Sequence, residues 1–491
     1  MRKQAALLIR TTVMSAGAAA LLAACTTLPP YTKPSVDVPA SYATAPAAGA
    51  AAAPGWSVAA PADQASRGPW WTLFGDDELD RLETRIDISN QTVQKAVAQL
   101  QSARSMVAYQ RAGFFPTVTA GVAQERFRTS QNIVHRGLAG HTVPDYSVGV
   151  AASWEPDLFG RVEDATVNAQ ANAQASAADL AGVRLAMQSD LAADYFDVRA
   201  IDIQKKLLDD TVTAYAAALS ILQQQFNSGA IDSAAVAQAQ TQLETARTQD
   251  TDLDVQRAQL VHAIATLTGV PASSFALPAR AAAVAVPSIP AGLPSQLLER
   301  RPDIAAAERR VAAANAQIGE ARAAYYPNLT LSASAGLESS YFAPWLTAPS
   351  LFWSLGSQLA GTLFDGGRRA AALQGARAQY DGTVADYRQT VLAAFQQVED
   401  QLSTLQTLSN EARSAQLASD AAQHALQLTT NQFHAGAVSY LDVATSQTTA
   451  LANERTVDQI DARRVDASVQ LLRALGGGWS SSVLTSAENP E

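Results

Sequence analysis

Apolar residues recur along the chain at two different spacings, which separate helical regions from extended ones. In one region they return at steps of four and three, the heptad spacing of a helix packed against partners. These positions are Tyr380, Val384, Tyr387, Val391, Phe395, Val398, Leu402 and Leu405. Residues 157–270 and 350–489 contain no proline, so both can hold long helices. Between Gly160 and Phe226 only Gly182 interrupts the run of helix-forming residues. As a helix, these roughly 65 residues would span about 100 Å.

Four other stretches alternate apolar with small or polar residues at a period of two, as strands with two different faces do. They lie at residues 117–122, 146–155, 329–337 and 351–363. Their length approaches the roughly 9–11 residues of a tilted membrane-spanning strand. Aromatic residues cluster at their ends, as in an interfacial girdle: Phe114, Phe115, Tyr325, Tyr326, Tyr341, Phe342 and Trp345. Beyond residue 24 no apolar run of about 20 residues exists, which favours strands over helices as the membrane-spanning elements.

One segment occurs twice. FNSGAIDSAAVAQAQ at Phe226–Gln240 is repeated as FHAGAVSYLDVATSQ at Phe433–Gln447. In both copies a glycine, Gly229 or Gly436, interrupts a helix-forming run, and glycine readily adopts the positive φ that reverses a chain. The repeat predicts a tandem duplication, each half holding a helix, two strands, a long helix, a tip turn and a helix.

Four strands per chain are too few to close a transmembrane barrel, which needs about eight. The chain is therefore expected to oligomerise. A dimer or a trimer would supply eight or twelve strands, and only the larger barrel leaves an open lumen. The predicted fold class is an α+β membrane protein in which long helices continue from the strands.

The N-terminus has the features of a secretory signal. A basic start is followed by an Ala-rich apolar run that ends at Leu22-Ala23-Ala24-Cys25, similar to a bacterial lipobox. The resemblance implies that Cys25 is acylated, and Thr26 implies retention at the outer membrane. The predicted organisation is a signal peptide at 1–24, a Pro/Ala-rich lipidated tether without regular structure at 25–69, a first repeat at 70–269, an equatorial linker at 270–293, a second repeat at 294–475 and an equatorial tail at 476–491.

Composition narrows the possible chemistry. A net charge of −10 gives no basic surface for nucleic acid, and the single cysteine excludes an intrachain disulfide. Asp250, Asp252 and Asp254 begin like a calcium loop, but Val255 replaces the required glycine and Val261 the final glutamate. The histidines lack metal-ligand spacing, and no catalytic motif is present, so neither a metal site nor an enzyme is expected.

Three segments together point to a family. LPSQLLERRPDIAAAERRVAAANAQIGEARAAYYPNLTL at Leu293–Leu331, LFDGGR at Leu363–Arg368 and ALGGGW at Ala474–Trp479 resemble the TolC-like outer-membrane efflux proteins. More narrowly, with the lipobox, they resemble the lipoprotein branch of NodT type that serves resistance-nodulation-division pumps.

The resemblance implies a homotrimer with a twelve-stranded β-barrel in the outer membrane, a twelve-helix barrel in the periplasm and an equatorial region. It also implies a periplasmic adaptor at the helical tips and an inner-membrane pump. The function implied is a passive exit duct for drugs or other small toxic compounds, without a cofactor other than the covalent lipid.

The resemblance also assigns residues. Leu441 would form a hydrophobic ring and Asp442 an acidic ring at the resting gate, a common way to select cations. Family members often carry another acid three residues later, where this chain has Thr445. In the first copy Ala235 takes the place of Asp442, which favours a gate formed by the second hairpin alone. The adaptor would contact the tips: Gly229, Ala230, Ile231, Gly436, Ala437 and Val438.

Two alternatives remain. The duct could export metal ions or proteins instead of drugs. A protein of another class, a coiled-coil surface lipoprotein without transport activity, would explain the lipobox and the heptads but not the four strands or the paired tips.

Overall fold

The computed structural model describes residues 29–39, 41–43, 56–57, 68–132, 140–287, 289–290 and 300–479. Its strands are β1 (Trp56–Ser57), β2 (Thr117–Arg128), β3 (Thr142–Trp154), β4 (Ile289–Pro290), β5 (Asn328–Ser339) and β6 (Leu351–Ala360). Its helices are α1 (Asp77–Ser89), α2 (Gln91–Ala112), α3 (Arg161–Asn227), α4 (Ser233–Leu267), α5 (Pro302–Ala323), α6 (Arg368–His434) and α7 (Tyr440–Ala474). None of the helices in these ranges is both long and apolar enough to cross a membrane.

The helix lengths confirm the duplication. The short helices α2 and α5 both have 22 residues, the long helices α3 and α6 both have 67, and the returning helices α4 and α7 both have 35. The strands β2 and β5 that open each pair both have 12 residues. Within the described residues, the elements from α5 to α7 therefore repeat the order of those from α2 to α4.

The chain divides into two compact units. The first holds the described residues within Met1–Ser35, Leu100–Ala175 and Ala307–Tyr387, and the second holds those within Val36–Gln99, Ser176–Ala306 and Arg388–Glu491. The first unit contains the four-stranded sheet. The second contains α4 and α7 whole, together with the parts of α3 and α6 that follow residues 175 and 387.

The sheet of the first unit is antiparallel throughout, in the order β2-β3-β5-β6. Its register places all four alternating patterns on one apolar face, where Ala120, Val150, Ala335 and Trp353 form one row. The opposite face carries small and polar residues. There, three glycines and one aromatic residue align across the strands: Gly121, Gly149, Gly336 and Phe352. Within the described chain β2 and β6 are the two edge strands.

The N-terminal segment, predicted as a tether largely without regular structure, makes hydrogen bonds within each unit. In the first unit, Asn315 Nδ2 donates to the Pro29 carbonyl at 2.9 Å, and the Tyr31 hydroxyl donates to Glu308 Oε1. In the second unit, Tyr42 is buried and the Ala43 N–H donates to Glu399 Oε1 at 2.6 Å. Residues 29–39 lack regular structure, as expected, and the Pro29 carbonyl and the Tyr31 hydroxyl hold the start of this segment on α5. The strand β1 also pairs in parallel with β4.

In each half of the second unit, a hydrogen bond joins the residue before one helix to the last residue of another. The side chain of Asn90, just before α2, donates to the carbonyl of Leu267, the last residue of α4, at 2.8 Å. Arg301, just before α5, donates in the same way to the carbonyl of Ala474, the last residue of α7, at 2.9 Å. Each bond pairs one of the last carbonyl groups of a helix, which has no partner within its own helix.

A buried ion triad fixes a loop to α3 and α4. Asp202 accepts hydrogen bonds from Arg199 Nη1 at 3.0 Å and from Arg257 Nε at 2.7 Å. The two guanidinium groups then donate to the carbonyls of Pro278 and Leu277, both at 2.8 Å. Within the predicted equatorial linker, these contacts therefore give residues 277–278 a fixed position.

Candidate functional site

The first repeated segment forms the turn between α3 and α4. The Gly229 N–H donates to the Phe226 carbonyl and the Ala230 N–H to the Gln225 carbonyl, both at 2.9 Å. Gly229 has a φ of +76°. This pair of bonds around a left-handed residue is the Schellman motif that ends a helix.

The second segment forms the same turn between α6 and α7. The Gly436 N–H donates to the Phe433 carbonyl and the Ala437 N–H to the Gln432 carbonyl, again both at 2.9 Å. Gly436 has a φ of +73°. Both glycines therefore have the conformation that the repeat predicts.

The six predicted tip residues differ in accessibility. Both glycines are exposed, as are Ala230 and Ala437, whereas Ile231 and Val438 are half-buried. No other atom lies within 4 Å of a Cβ built on either glycine. Ile231 packs against the hydrophobic cluster between the hairpins. The surface that each turn offers to a partner is therefore mainly the Gly-Ala backbone and one methyl group.

The two returning helices begin with different caps. In the first hairpin, Asp232 precedes α4 and its Oδ1 accepts the Ala235 N–H at 3.1 Å. In the second, Ser439 precedes α7, and its N–H and hydroxyl donate to Asp442 Oδ2 at 2.9 and 2.7 Å. A carboxylate three residues after a serine that bonds back to the serine is the acid of a capping box.

The different positions of the two capping carboxylates explain why the second copy has Asp442 where the first has Ala235. Each hairpin has one capping carboxylate, placed before the helix in the first copy and inside its first turn in the second. The asymmetry of the sequence thus follows from helix capping and is not by itself evidence for a gate. The Ser-x-x-Asp pattern of this cap is visible in the sequence, although it was not among the features predicted from it.

Asp442 and its neighbour Leu441 face solvent in the single chain. The hydrogen bonds from Ser439 hold the pKa of the Asp442 carboxyl below its usual value, so it stays ionised at neutral pH. Leu441 is 58% exposed, whereas Leu451 and Val457 further along α7 are half-buried and Leu471 and Leu472 are buried. An anionic and an apolar side chain are therefore presented side by side at the start of α7.

A buried aromatic residue connects the two hairpins at this end. The Tyr440 ring meets Phe433 edge to face, with centroids 5.9 Å apart, and packs with Leu222 and Val443. The Tyr440 hydroxyl lies 3.2 Å from Gln242 Oε1, and Gln242 Nε2 donates to the Ala444 carbonyl at 2.9 Å. This link was not among the contacts predicted from the sequence, although Tyr440 stands where the first copy has only Ser233.

The apparent calcium motif is part of a helix. Asp250 and Asp254 form ion pairs with Lys205 at 2.8 and 3.2 Å. Asp252 accepts a hydrogen bond from Gln256 at 2.7 Å. Across the described ranges, no group of three or more His, Cys, Asp or Glu side chains is arranged to hold a metal ion. Cys25, the residue expected to be acylated, and His135 lie outside the described residues.

Comparison with known proteins identifies the architecture. The outer membrane efflux protein family matches residues 85–270 and 293–477. The chain is 31% identical to the pyoverdine export outer membrane protein OpmQ of Pseudomonas aeruginosa over 84% of this chain and 88% of that protein. It is also 31% identical to the solvent efflux pump outer membrane protein SrpC of Pseudomonas putida over 94% of this chain and 97% of that protein.

A solved structure agrees in fold. The crystal structure of a membrane protein from Pseudomonas aeruginosa superposes with a TM-score of 0.84 at 28% identity, over 93% of this chain and 98% of that one. The duplicated TolC-like fold, with four strands in each protomer, is confirmed. The chain belongs to the outer membrane efflux protein family, whose members are non-enzymatic, and it is an outer-membrane channel that extends into the periplasm as part of a tripartite efflux system.

Proposed function

We propose that three copies assemble into a duct that passively conducts small toxic compounds from an inner-membrane pump of the resistance-nodulation-division class to the exterior. Three copies supply twelve strands, the number that leaves an open lumen. The observation that carries the proposal is the sheet itself, which has one continuous apolar face, one small and polar face, and an edge strand on each side.

The tips support docking to a periplasmic adaptor. Both hairpins end in the same Schellman turn with an exposed Gly-Ala pair, Gly229-Ala230 and Gly436-Ala437. Two alike turns on each of three copies would offer six equivalent contacts, which suits a hexameric adaptor. Ile231 and Val438, half-buried beside them, would shape the rim of each contact.

Leu441 and Asp442 are the proposed gate. Both side chains are exposed in the single chain, and three-fold symmetry would bring three copies of each towards one axis. A ring of ionised carboxylates favours cations, and a ring of leucines favours a dry constriction. The hydrogen bonds from Ser439 lower the pKa of Asp442 and so oppose the rise that repulsion between three neighbouring carboxylates would cause.

Cargo and anchor are proposed from the relatives and the sequence. OpmQ is named for pyoverdine export and SrpC for solvent efflux, which supports small organic compounds over proteins as cargo. Acylation of Cys25 would anchor the chain in the inner leaflet of the outer membrane, and no cofactor is proposed beyond that lipid. Mass spectrometry of the N-terminal peptide tests the acylation.

The decisive experiment measures conduction. The purified protein should run as a trimer by light scattering and conduct in planar bilayers, with an Asp442→Ala variant conducting at lower voltage than the wild type. In a host that keeps its adaptor and pump but lacks its own channel, the protein should restore growth on toxic compounds. A purified protein that remains monomeric, or a trimer of either form that never conducts, would contradict the proposal and favour the surface lipoprotein.

A further inference from the structure

The ends of the strands carry a repeated aromatic pattern. Phe114-Phe115-Pro116 leads into β2, and Tyr325-Tyr326-Pro327 leads into β5. On the other side, Leu158-Phe159 follows β3 and Leu363-Phe364 follows β6. By the duplication, Phe115 corresponds to Tyr326, and Phe159 corresponds to Phe364.

Inside one chain, two members of this pattern meet. The strand β3 pairs with β5, and at their shared end Phe159 stacks on Tyr326, with ring centroids 4.8 Å apart and planes 13° apart. Each repeat therefore joins the next through a strand pair and an aromatic stack beside it.

The corresponding residues at the two edges of the sheet are exposed. Leu363 is 99% and Phe364 is 88% exposed after the edge strand β6, and Phe115 is 70% exposed before the edge strand β2. Within the described residues neither Phe115 nor Phe364 stacks on another ring. Leu158, which corresponds to Leu363, is only 36% exposed. The exposed rings are therefore Phe115 and Phe364. A partner equivalent to the one in the stack of Phe159 on Tyr326 would have to come from another repeat.

A specific turn holds Leu363 and Phe364 in this position. Asp365 Oδ1 accepts the Gly367 N–H at 3.0 Å, while its Oδ2 accepts the Arg369 N–H at 3.2 Å and Arg369 Nε at 2.5 Å. Gly366 and Gly367 have φ values of +63° and +94°, which few other residues adopt. The outward position of the two apolar side chains is therefore built by the local sequence.

We propose that Phe364 of one copy stacks on Phe115 of the neighbouring copy, and that this contact repeats between protomers the stack of Phe159 on Tyr326 within each protomer. The inference rests on the proposed trimer. The exposed Leu363-Phe364 surface would then be covered by a second copy of this chain. The contact would lie where the edge strand β6 meets the edge strand β2 of the next protomer.

Cross-linking of the full-length trimer tests the stack. The double variant Phe115→Cys/Phe364→Cys, treated with a short thiol-specific bifunctional reagent, should give covalent dimers and trimers on a denaturing gel. The double variant Phe159→Cys/Tyr326→Cys is the matched control, because it should link within one chain, which gives no dimer or trimer band but adds the mass of one reagent by mass spectrometry. Each single variant reports any background from Cys25.

The outcomes separate the stack from the assembly. A protein that stays monomeric by light scattering before cross-linking contradicts the proposed trimer. A trimer in which the control pair links but the Phe115/Phe364 pair does not contradicts the stack alone. A Phe364→Trp variant gives a second measurement: strong quenching of its fluorescence by brominated lipid would show that lipid, not a second copy, covers this surface.

Discussion

Ser439 donates both its N–H and its hydroxyl to a single oxygen, Oδ2 of Asp442, at 2.9 and 2.7 Å. The carboxylate that the family resemblance assigns to the gate is therefore also the cap of α7. Removing it changes two things at once, the charge at the tip and the stability of the first helical turn. The first hairpin shows how to separate them, because Asp232 caps α4 with no acid at Ala235.

We expect cation selectivity to depend on the carboxylate at position 442 and helix protection to depend on the cap. Asp442→Ala should lose selectivity in planar bilayers and speed hydrogen exchange in the first turn of α7. The double variant Ser439→Asp/Asp442→Ala transfers the cap of the first hairpin, so it should restore slow exchange without restoring selectivity. Recovery of selectivity in the double variant would contradict an acidic ring at residue 442.

Glu83 predicts a dependence of stability on pH. Its carboxyl is fully buried on α1, and within the described residues neither of its oxygens has a hydrogen-bond partner. Burial, reinforced by Asp87 and Asp80, raises its pKa from 4.5 to about 9, so the folded protein holds it protonated at neutral pH. The stability gained by keeping Glu83 neutral is fully present below the pKa of the unfolded chain, 4.5. It is lost as the pH rises towards the pKa of the folded protein, about 9.

The local stability of α1 should therefore fall by up to about 1.4 kcal/mol per pH unit between roughly pH 5 and 9. Hydrogen exchange of the α1 amides at pH 6 and pH 8, corrected for intrinsic rates, measures this change. Glu83→Gln removes the titrating group at nearly constant volume and should make the protection independent of pH. An equal pH dependence in the variant would assign the effect to another group.

Repeats and strands were predictable from the sequence because their signals are local and periodic. The period-two alternation places all four strands, and the spacing of Gly229 and Gly436 places both turns. The heptad positions Tyr387, Val391 and Phe395 are buried as predicted. Each prediction needed only the geometry of one element.

Contacts between distant parts of the chain were not predictable from such patterns. The docking of Tyr31 on Glu308 and the bond of Arg301 to the Ala474 carbonyl join residues that are 277 and 173 positions apart. No spacing rule connects such pairs. The proline-rich composition of residues 26–69 predicts the lack of regular structure at residues 29–39, but it does not predict the hydrogen bonds that hold Pro29 and Tyr31 on α5.

The ion triad predicts where a loop will open. Asp202 is buried between two guanidinium groups and also accepts the Arg280 N–H at 2.8 Å. Asp202→Asn would leave the buried Arg199 and the half-buried Arg257 without a counter-ion, and removing one partner of a buried pair costs about 3–5 kcal/mol. Residues 277–280 should then detach, and trypsin should cut after Arg280 many times faster than in the wild type. Asp209→Asn, an exposed acid on the same helix, is the matched control and should leave the cleavage rate unchanged.

The exposed turn at Gly436 gives the sharpest test of adaptor docking. Its positive φ strains most side chains, but Asn and Asp tolerate this conformation, and nothing lies within 4 Å of an added Cβ. Gly436→Asp should therefore keep the trimer and its conductance while adding bulk and charge to the surface that meets the adaptor. We expect it to abolish growth on toxic compounds and cross-linking to the adaptor.

Two further variants identify the cause of that loss. Gly229→Asp tests whether the first tip is used equally, as the identical Schellman turns suggest, and it should weaken cross-linking to a similar degree. Gly436→Asn adds nearly the same bulk without charge, so a milder defect than that of Gly436→Asp would assign part of the loss to electrostatic repulsion. If Gly436→Asp preserves both growth and cross-linking, the adaptor does not dock on this turn, because the substitution alters the most exposed part of the tip.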